Sequence, residues 1–290
     1  MSNLTEIKEQ ITTVEGVGDF TKALQQIAML RMTTLKDKVI SSRPFITEAV
    51  KVLAELTALR NQMTITDLYA LERRHARNKE LESKSVLGST AVIVITSNPG
   101  LTGQYNQEIF RTLKKVLDVE KQADFFVIGK KGQEFFRGRK ITVQNFPYNV
   151  PEKFDISDLQ RLIRLFDRYV KITLIYSHYV SSAKRVILTT TIVRPELDKE
   201  DASVVEPRFI YEPDLYQLID IVSSTLRGAL FQQQLLDARL SQNSAQMVGM
   251  QTASDNAVEL IGELRQEYNK QRRKLIDKKI NEVFAGSTLW

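Results

Sequence analysis

One segment limits what this chain can become more than any other. MVGMQTASDNAVELIGELRQEYNKQRRKLIDKKINEVFAG (residues 247–286) contains no proline, and the preceding proline is Pro213. An unbroken helix from there to the C-terminus covers about seventy residues, roughly 105 Å at the rise of an α-helix. A compact globule of this chain length has a radius of gyration of ~19 Å and a diameter of about 50 Å. Such a helix either breaks or projects, and if it projects another element must cover it.

The pattern inside the segment favours projection. From Met250 a heptad grid runs through Ala257, Ile261, Leu264, Tyr268 and Leu275, interrupted by Ser254 and Gln271. The other end of the chain carries a matching stripe. Leu4, Ile7, Ile11 and Val14 fall at the spacing of a coiled-coil seam, and Ser2 or Asn3 can cap the helix start. After Gly16 and Gly18 the stripe is expected to resume through Phe20, Leu24, Ile27, Leu30 and Leu35. The two glycines weaken this helix by about 1 kcal/mol each relative to alanine, which suggests a local swivel, and Pro44 marks an expected bend.

The middle of the chain changes period. AVIVITS (91–97), DFFVIG (124–129), ITLIYSHYV (172–180) and KRVILTTTIV (184–193) are short β-rich runs, and ITVQNF (141–146) adds a weaker one. QEIFRTLKKVL (107–117) and DISDLQRLIRLFDRYV (155–170) read as intervening helices. This alternation specifies a Rossmann-like α/β sheet with crossover helices, closed by an antiparallel hairpin through 181–183. The fold class is therefore α/β with long terminal helices: an antiparallel two-helix coiled coil of the N- and C-terminal helices, with an α/β domain inserted between them. The expected division is a long N-terminal helix over 1–60, a connector over 61–85, an α/β domain over 86–211 and a long C-terminal helix over 212–290.

Composition removes several kinds of chemistry. The chain has no cysteine and only two histidines, His75 and His178, so thiolate or multi-histidine metal sites and histidine relays are not expected. MSNLTEIKEQ places charges where a secretory signal needs an apolar core, and no run approaches a membrane span. TSNPGLTGQYN (96–106) follows a strand and opens a helix but lacks both common phosphate-loop patterns, so it reads as a tight glycine turn. VIGKKGQEFFRGRK (127–140) reads as a basic solvated loop edge, and LERRHARNKELESK (71–84), with His75, as an exposed connector. Asp198, Glu200 and Asp201 have no nucleophile or base beside them. No catalytic, cofactor-binding or metal-binding residue is expected, because no nucleophile–base–orienter set occurs.

The strongest charge feature is on the last helix, where Arg265, Lys270, Arg272, Arg273, Lys274, Lys278 and Lys279 outnumber Glu267, Asp277 and Glu282. On a projecting helix, such a face suits an acidic protein surface. Met29, Met32, Val283, Phe284, Leu289 and Trp290 add apolar surface near the helix ends that also calls for a partner. The net charge of +6, from 41 basic and 35 acidic residues, leaves nucleic acid, anionic membrane and acidic protein all open.

At this point the chain resembles the gamma subunit of F-type ATP synthases. AQMVGMQTASDNAVELIGELRQEYNKQRR carries the match at Ala245, Met247, Met250, Ala253, Asp255, Asn256, Ala257, Leu260, Ile261, Leu264, Tyr268, Asn269, Lys270 and Arg272. Ile276, Glu282 and Gly286 fit the terminal signature. Ile7, Lys8, Ile11, Val14, Thr21, Lys22, Ala23, Arg31 and Met32 agree at the N-terminus. Gly100, Leu101, Gly103 and Asn106 fit the family's first glycine turn, and Ile128, Gly129, Lys130 and Gly132 a second, basic one.

The resemblance implies a non-catalytic rotor shaft threaded through a ring of alpha and beta ATPase subunits, with an epsilon subunit and a c-ring at the foot. It places the chain peripherally on the cytoplasmic face of the cell membrane, in contact with the membrane only through partners. It implies a coil seam of Ile7, Ile11, Val14, Ile261, Leu264 and Tyr268. Ring contacts would come from Lys22, Arg31, Met32, Met247, Met250, Asp255, Asn256, Lys270, Arg272 and Arg273, with Val283, Phe284 and Leu289 lining a bearing. Asn98-Pro99 stands where the family carries an acid and a base, and Gly16, Asp19, Gln242, Gln246, Asp277 and Lys279 also depart from its pattern. Three alternatives accompany this reading: the shaft of a diverged mollicute paralogue used for gliding, a basic coiled-coil nucleic-acid-binding protein, and an α/β enzyme with helical arms.

Overall fold

The computed structural model describes residues 2–62, 87–98, 100–120, 123–139, 141, 143–145, 169–182, 184–193 and 215–287. The elements in chain order are α1 (Ser2–Gln62), β1 (Leu87–Ile95), α2 (Tyr105–Val119), β2 (Asp124–Ile128), α3 (Lys130–Gly138), β3 (Gln144–Asn145), β4 (Tyr169–Tyr179), β5 (Arg185–Val193) and α4 (Leu215–Ser287). The chain forms two compact units. One comprises residues 1–31 with 243–290, and the other residues 32–242.

The larger unit is built on a five-stranded sheet in the order β3-β2-β1-β4-β5. β1 pairs in parallel with both β2 and β4, β3 is parallel to β2, and β5 returns antiparallel to β4 as the hairpin spacing requires. Ala91–Ile95 is buried on both faces, which accounts for a continuous apolar run where a half-exposed strand would alternate. One face, carrying Ile93, Phe126, Leu174 and Ile192, packs against Phe231, Leu235 and Ala238 of α4. Residues of opposite parity meet the crossover helices: Phe125 lies 6.0 Å, ring to ring, from Phe136 of α3. Further along the same unit, Leu56 of α1 clusters with Leu215 and Ile219 of α4.

In the smaller unit α1 and α4 form an antiparallel pair. Gln25 Nε2 donates to Gln251 Oε1 at 2.7 Å, and Arg265 pairs with Glu15 at 2.8 Å. A Cβ added at Gly18 would stand 3.5 Å from that of Ala257, so residue numbers rise on one helix as they fall on the other. The inward residues of α1 are Ile7, Ile11, Val14, Gly18, Thr21, Gln25 and Ala28, with spacings of 4, 3, 4, 3, 4 and 3. On α4 they are Met250, Ser254, Ala257, Ile261, Leu264, Tyr268, Gln271 and Leu275. A sustained seven-residue repeat of this kind imposes a left-handed supercoil.

Several expectations are corrected. Phe20, Ile27 and Leu30 do not continue the seam: they are 60%, 47% and 71% exposed. The register set by Ile7 and Val14 turns Gly18, Thr21, Gln25 and Ala28 inward, and their small or flexible side chains let the helices approach. Neither Gly16 nor Gly18 breaks α1. Pro44 lies inside α1 without ending it. Proline removes a hydrogen bond to the carbonyl four residues earlier, that of Ile40, and Ile40 is on the exposed side. The basic stretch after Gly129, expected as a loop edge, is the helix α3. Of the helix expected over 155–170, Tyr169 and Val170 instead open β4; the rest of it and most of the 61–85 connector lie outside the described residues.

Candidate functional site

The carboxyl ends of parallel strands are where an α/β sheet usually takes a ligand. Here that end is closed by the chain's own groups. The first amides of α3 donate to the β1–α2 turn: Lys130 N–H to Asn98 Oδ1 at 3.2 Å, Lys131 N–H to the Ser97 carbonyl at 3.2 Å, and Gly132 N–H to Thr96 Oγ1 at 3.0 Å. The Thr96 hydroxyl in turn donates to the Ile128 carbonyl at 2.9 Å. Gly129 makes the approach feasible. Its φ is +108°, and a Cβ there would sit 2.3 Å from the Thr96 carbonyl oxygen. Asn106 ties the same turn from α2, accepting from Ser97 N–H at 3.1 Å and donating to Ser97 Oγ at 2.7 Å. Amides that would face a phosphate in a nucleotide-binding loop therefore face side chains and carbonyls of this protein.

Beside the turn, β4 ends in a polar cluster against α4. His178 Nδ1 is hydrogen-bonded to Asp237 Oδ2, and Tyr179 N–H donates to Asp237 Oδ1 at 3.3 Å. Ser177 and Ser241 share a 2.7 Å hydrogen bond, and the buried Tyr105 hydroxyl donates to the Ala238 carbonyl at 3.2 Å. Burial pushes the Asp237 carboxyl above the usual carboxylate range, opposed by the hydrogen bond and charge of His178. Burial likewise raises the Tyr105 phenol. This cluster holds elements together; its serine hydroxyls, Ser177 and Ser241, are buried and bonded to each other. No group of potential metal ligands occurs among the described residues. His75, Asp198, Glu200 and Asp201 lie outside them.

The surface that lacks a covering within its own unit is on the coiled coil. Val17, Phe20, Ile27 and Leu30 of α1 are exposed and fall on one stripe, since residues three, four and seven apart share a helix face. That stripe stands one residue, about 100° of helix, from the seam. On α4 Ile276, Ile280, Val283 and Phe284 form a similar exposed row beside the seam residue Leu275. Exposed apolar residues scattered singly need no explanation, but a continuous row marks an interaction face.

Among the residues expected at the seam, Ile7 is buried, and Ile11, Val14, Ile261, Leu264 and Tyr268 are half-buried. Among the expected contact residues Lys22, Arg31, Asp255, Asn256, Lys270, Arg272 and Arg273 are exposed, as are Val283 and Phe284. Met247 is half-exposed in the same unit. Met32 belongs to the other unit, so the structure does not bring it together with them. Met250 is only 4% exposed and serves the seam, which removes its side chain from any outer face. Leu289 is outside the described residues. Sequence reasoning missed Thr21 and Gln25 as seam residues, although extending the repeat from Ile7 finds both.

The sequence profile of a family described as ATP synthase matches residues 3–288. An ATP synthase gamma chain from Halothermothrix orenii is 26% identical over 296 residues, covering 99% of each chain. One from Exiguobacterium sibiricum is 27% identical over 297 residues, again covering 99% of each. The rotor of the Euglena gracilis mitochondrial ATP synthase in rotational state 1 superposes with a TM-score of 0.61 at 15% identity, over 95% of this chain and 99% of that one. A chain of the OSCP/F1/c-ring assembly of the same enzyme gives a TM-score of 0.65 at 14% identity, over 99% and 94%.

Proposed function

This chain belongs to the ATP synthase family, and from that membership we propose that it acts as the gamma chain, the central rotor shaft of a rotary F-type ATPase. It is a non-catalytic subunit: the ring it serves makes or hydrolyses ATP, and the shaft couples its own rotation to conformational change there. The observation that carries the reading is the second apolar stripe, Val17, Phe20, Ile27 and Leu30, on a coil whose first stripe is already used. A shaft inside a ring must present apolar surface outward, whereas a free coiled coil would keep that surface polar.

In this reading alpha and beta ATPase subunits surround the coil. Lys22, Arg31, Asp255 and Asn256 and the basic residues Lys270, Arg272 and Arg273 face them, with Val283, Phe284 and Leu289 in the bearing. Residues 1–60 and 212–290 supply the shaft, and 86–211 the foot that meets an epsilon subunit and a c-ring. The complex is peripheral to a membrane, here the cytoplasmic face of the cell membrane. Among the described residues no helix is long and apolar enough to cross a membrane. A gliding-associated paralogue and a nucleic-acid-binding coiled coil have no support among the relatives.

Co-expression with the alpha and beta subunits of the same cell tests this. The wild-type chain should co-purify with both through gel filtration, and Phe20→Asp with Ile27→Asp should release it while the coil keeps its helicity. Retention of both subunits by the double variant would remove the stripe from the account.

A further inference from the structure

The sheet grips α4 in two chemically different ways. Phe231, Leu235 and Ala238 make an apolar contact, which holds the surfaces together but is non-directional. One turn of α4 adds directional ties. Asp237 takes both the His178 ring nitrogen and the Tyr179 amide, the Ala238 carbonyl takes the Tyr105 hydroxyl, and Ser241 meets Ser177. These α4 positions are i, i+1 and i+4, so they resist rotation of the helix about its own axis. Hydrogen bonds weaken steeply with angle, and buried polar ties of this sort specify register more than they add stability.

We propose that Tyr105, Ser177, His178, Tyr179, Asp237 and Ser241 form a rotational lock that fixes the angle of α4 against the α/β sheet, so that torque passes between sheet and shaft helix without slip. The lock rests on the rotor reading. Its members are positioning residues: they touch neither nucleotide nor ring. Arg43 bears on the same carboxylate, and Arg185, itself paired with Glu108 at 3.1 Å, bears on Tyr105.

Apolar replacement separates locking from mere stability. In Tyr105→Phe/Ser177→Ala/His178→Leu/Asp237→Leu/Ser241→Ala both members of each side-chain pair become apolar, and a buried pair replaced on both sides commonly leaves stability unchanged or raised. The chain contains no cysteine, so the exposed Gln133→Cys gives a single labelling point on α3. In the assembled complex, with the ring arrested by a non-hydrolysable nucleotide, the thermal angular spread of a rod attached there reports torsional stiffness. The lock predicts at least a twofold increase in angular variance with the melting temperature unchanged or higher. Asp237→Glu, which keeps an acceptor for His178 and Tyr179, should recover most of the stiffness. Tyr105→Phe/Ser241→Ala serves as the milder variant and should widen the spread by a smaller amount. Unchanged variance in the fivefold variant would overturn the lock alone. Failure of the wild-type complex to rotate with ATP would overturn the rotor reading and the lock with it.

Discussion

Leu264→Glu and Phe20→Glu place the same charge on two stripes of one coil, and the structure assigns them opposite consequences. Leu264 is half-buried on the seam. Replacing it forfeits roughly half of the 1.5–3 kcal/mol that burying a leucine contributes, or about 1 kcal/mol. The carboxylate adds a desolvation cost of about 1–3 kcal/mol, giving roughly 2–4 kcal/mol in total. Phe20 is 60% exposed, so its replacement removes little contact within the coil and should change stability by less than about 0.5 kcal/mol. Urea melts of the full chain, followed by circular dichroism at 222 nm (about the α-helical minimum), separate the two. Leu264→Glu should also regain stability as pH falls, because a carboxyl raised by burial is protonated first in the folded coil. Equal destabilisation by both variants would refute the assignment of seam and outer stripe.

Other consequences are read in the same way. Gly129→Ala must accommodate a Cβ 2.3 Å from the Thr96 carbonyl at φ +108°, and should cost about 2 kcal/mol or more. Gly138→Ala, where an added Cβ meets nothing within 4 Å, should be neutral or stabilise by up to about 1 kcal/mol, and paired thermal melts decide both. Phe231→Ala empties a fully buried site between α4 and the sheet and should cost about 3–5 kcal/mol in urea titrations. Arg265→Ala should change stability by less than about 1 kcal/mol, since its partner Glu15 and it are both well exposed. Asp237 has a raised carboxyl in the fold, so the stability it contributes is fullest below the unfolded carboxylate range and declines as pH rises through the folded value. Asp237→Asn should therefore gain stability relative to wild type as pH rises from about 4 towards 7; a constant difference across that range would contradict the raised carboxyl.

The long helices and the sheet were legible because their signals are periodic over many residues. AVIVI declares a strand buried on both faces, and the 250–275 grid declares a seam. Beyond Val14 the sequence pattern places the α1 seam one residue out of register, for a physical reason. Phe20, Ile27 and Leu30 are the larger apolar groups, so hydrophobicity points to them, while close helix approach selects Gly18, Thr21, Gln25 and Ala28. That displacement hid the outer stripe, since a residue assigned to the seam cannot also be offered to a ring. The helix α3 was missed because Gly132 and Gly138 suggest a loop in KKGQEFFRG. Its N-terminus is secured by Thr96, Ser97 and Asn98, whose positions depend on tertiary folding. The His178–Asp237 tie joins residues far apart in sequence, and no local pattern announces it.

The account stands or falls on rotation. The complex of this chain with its alpha and beta subunits should be fixed to a surface through the ring, with a rod on Gln133→Cys, and observed as ATP is added. Sustained rotation in one direction, abolished by Phe20→Asp with Ile27→Asp, is the predicted result. A complex that hydrolyses ATP while the rod shows no directed rotation would contradict the claim that this chain is the shaft.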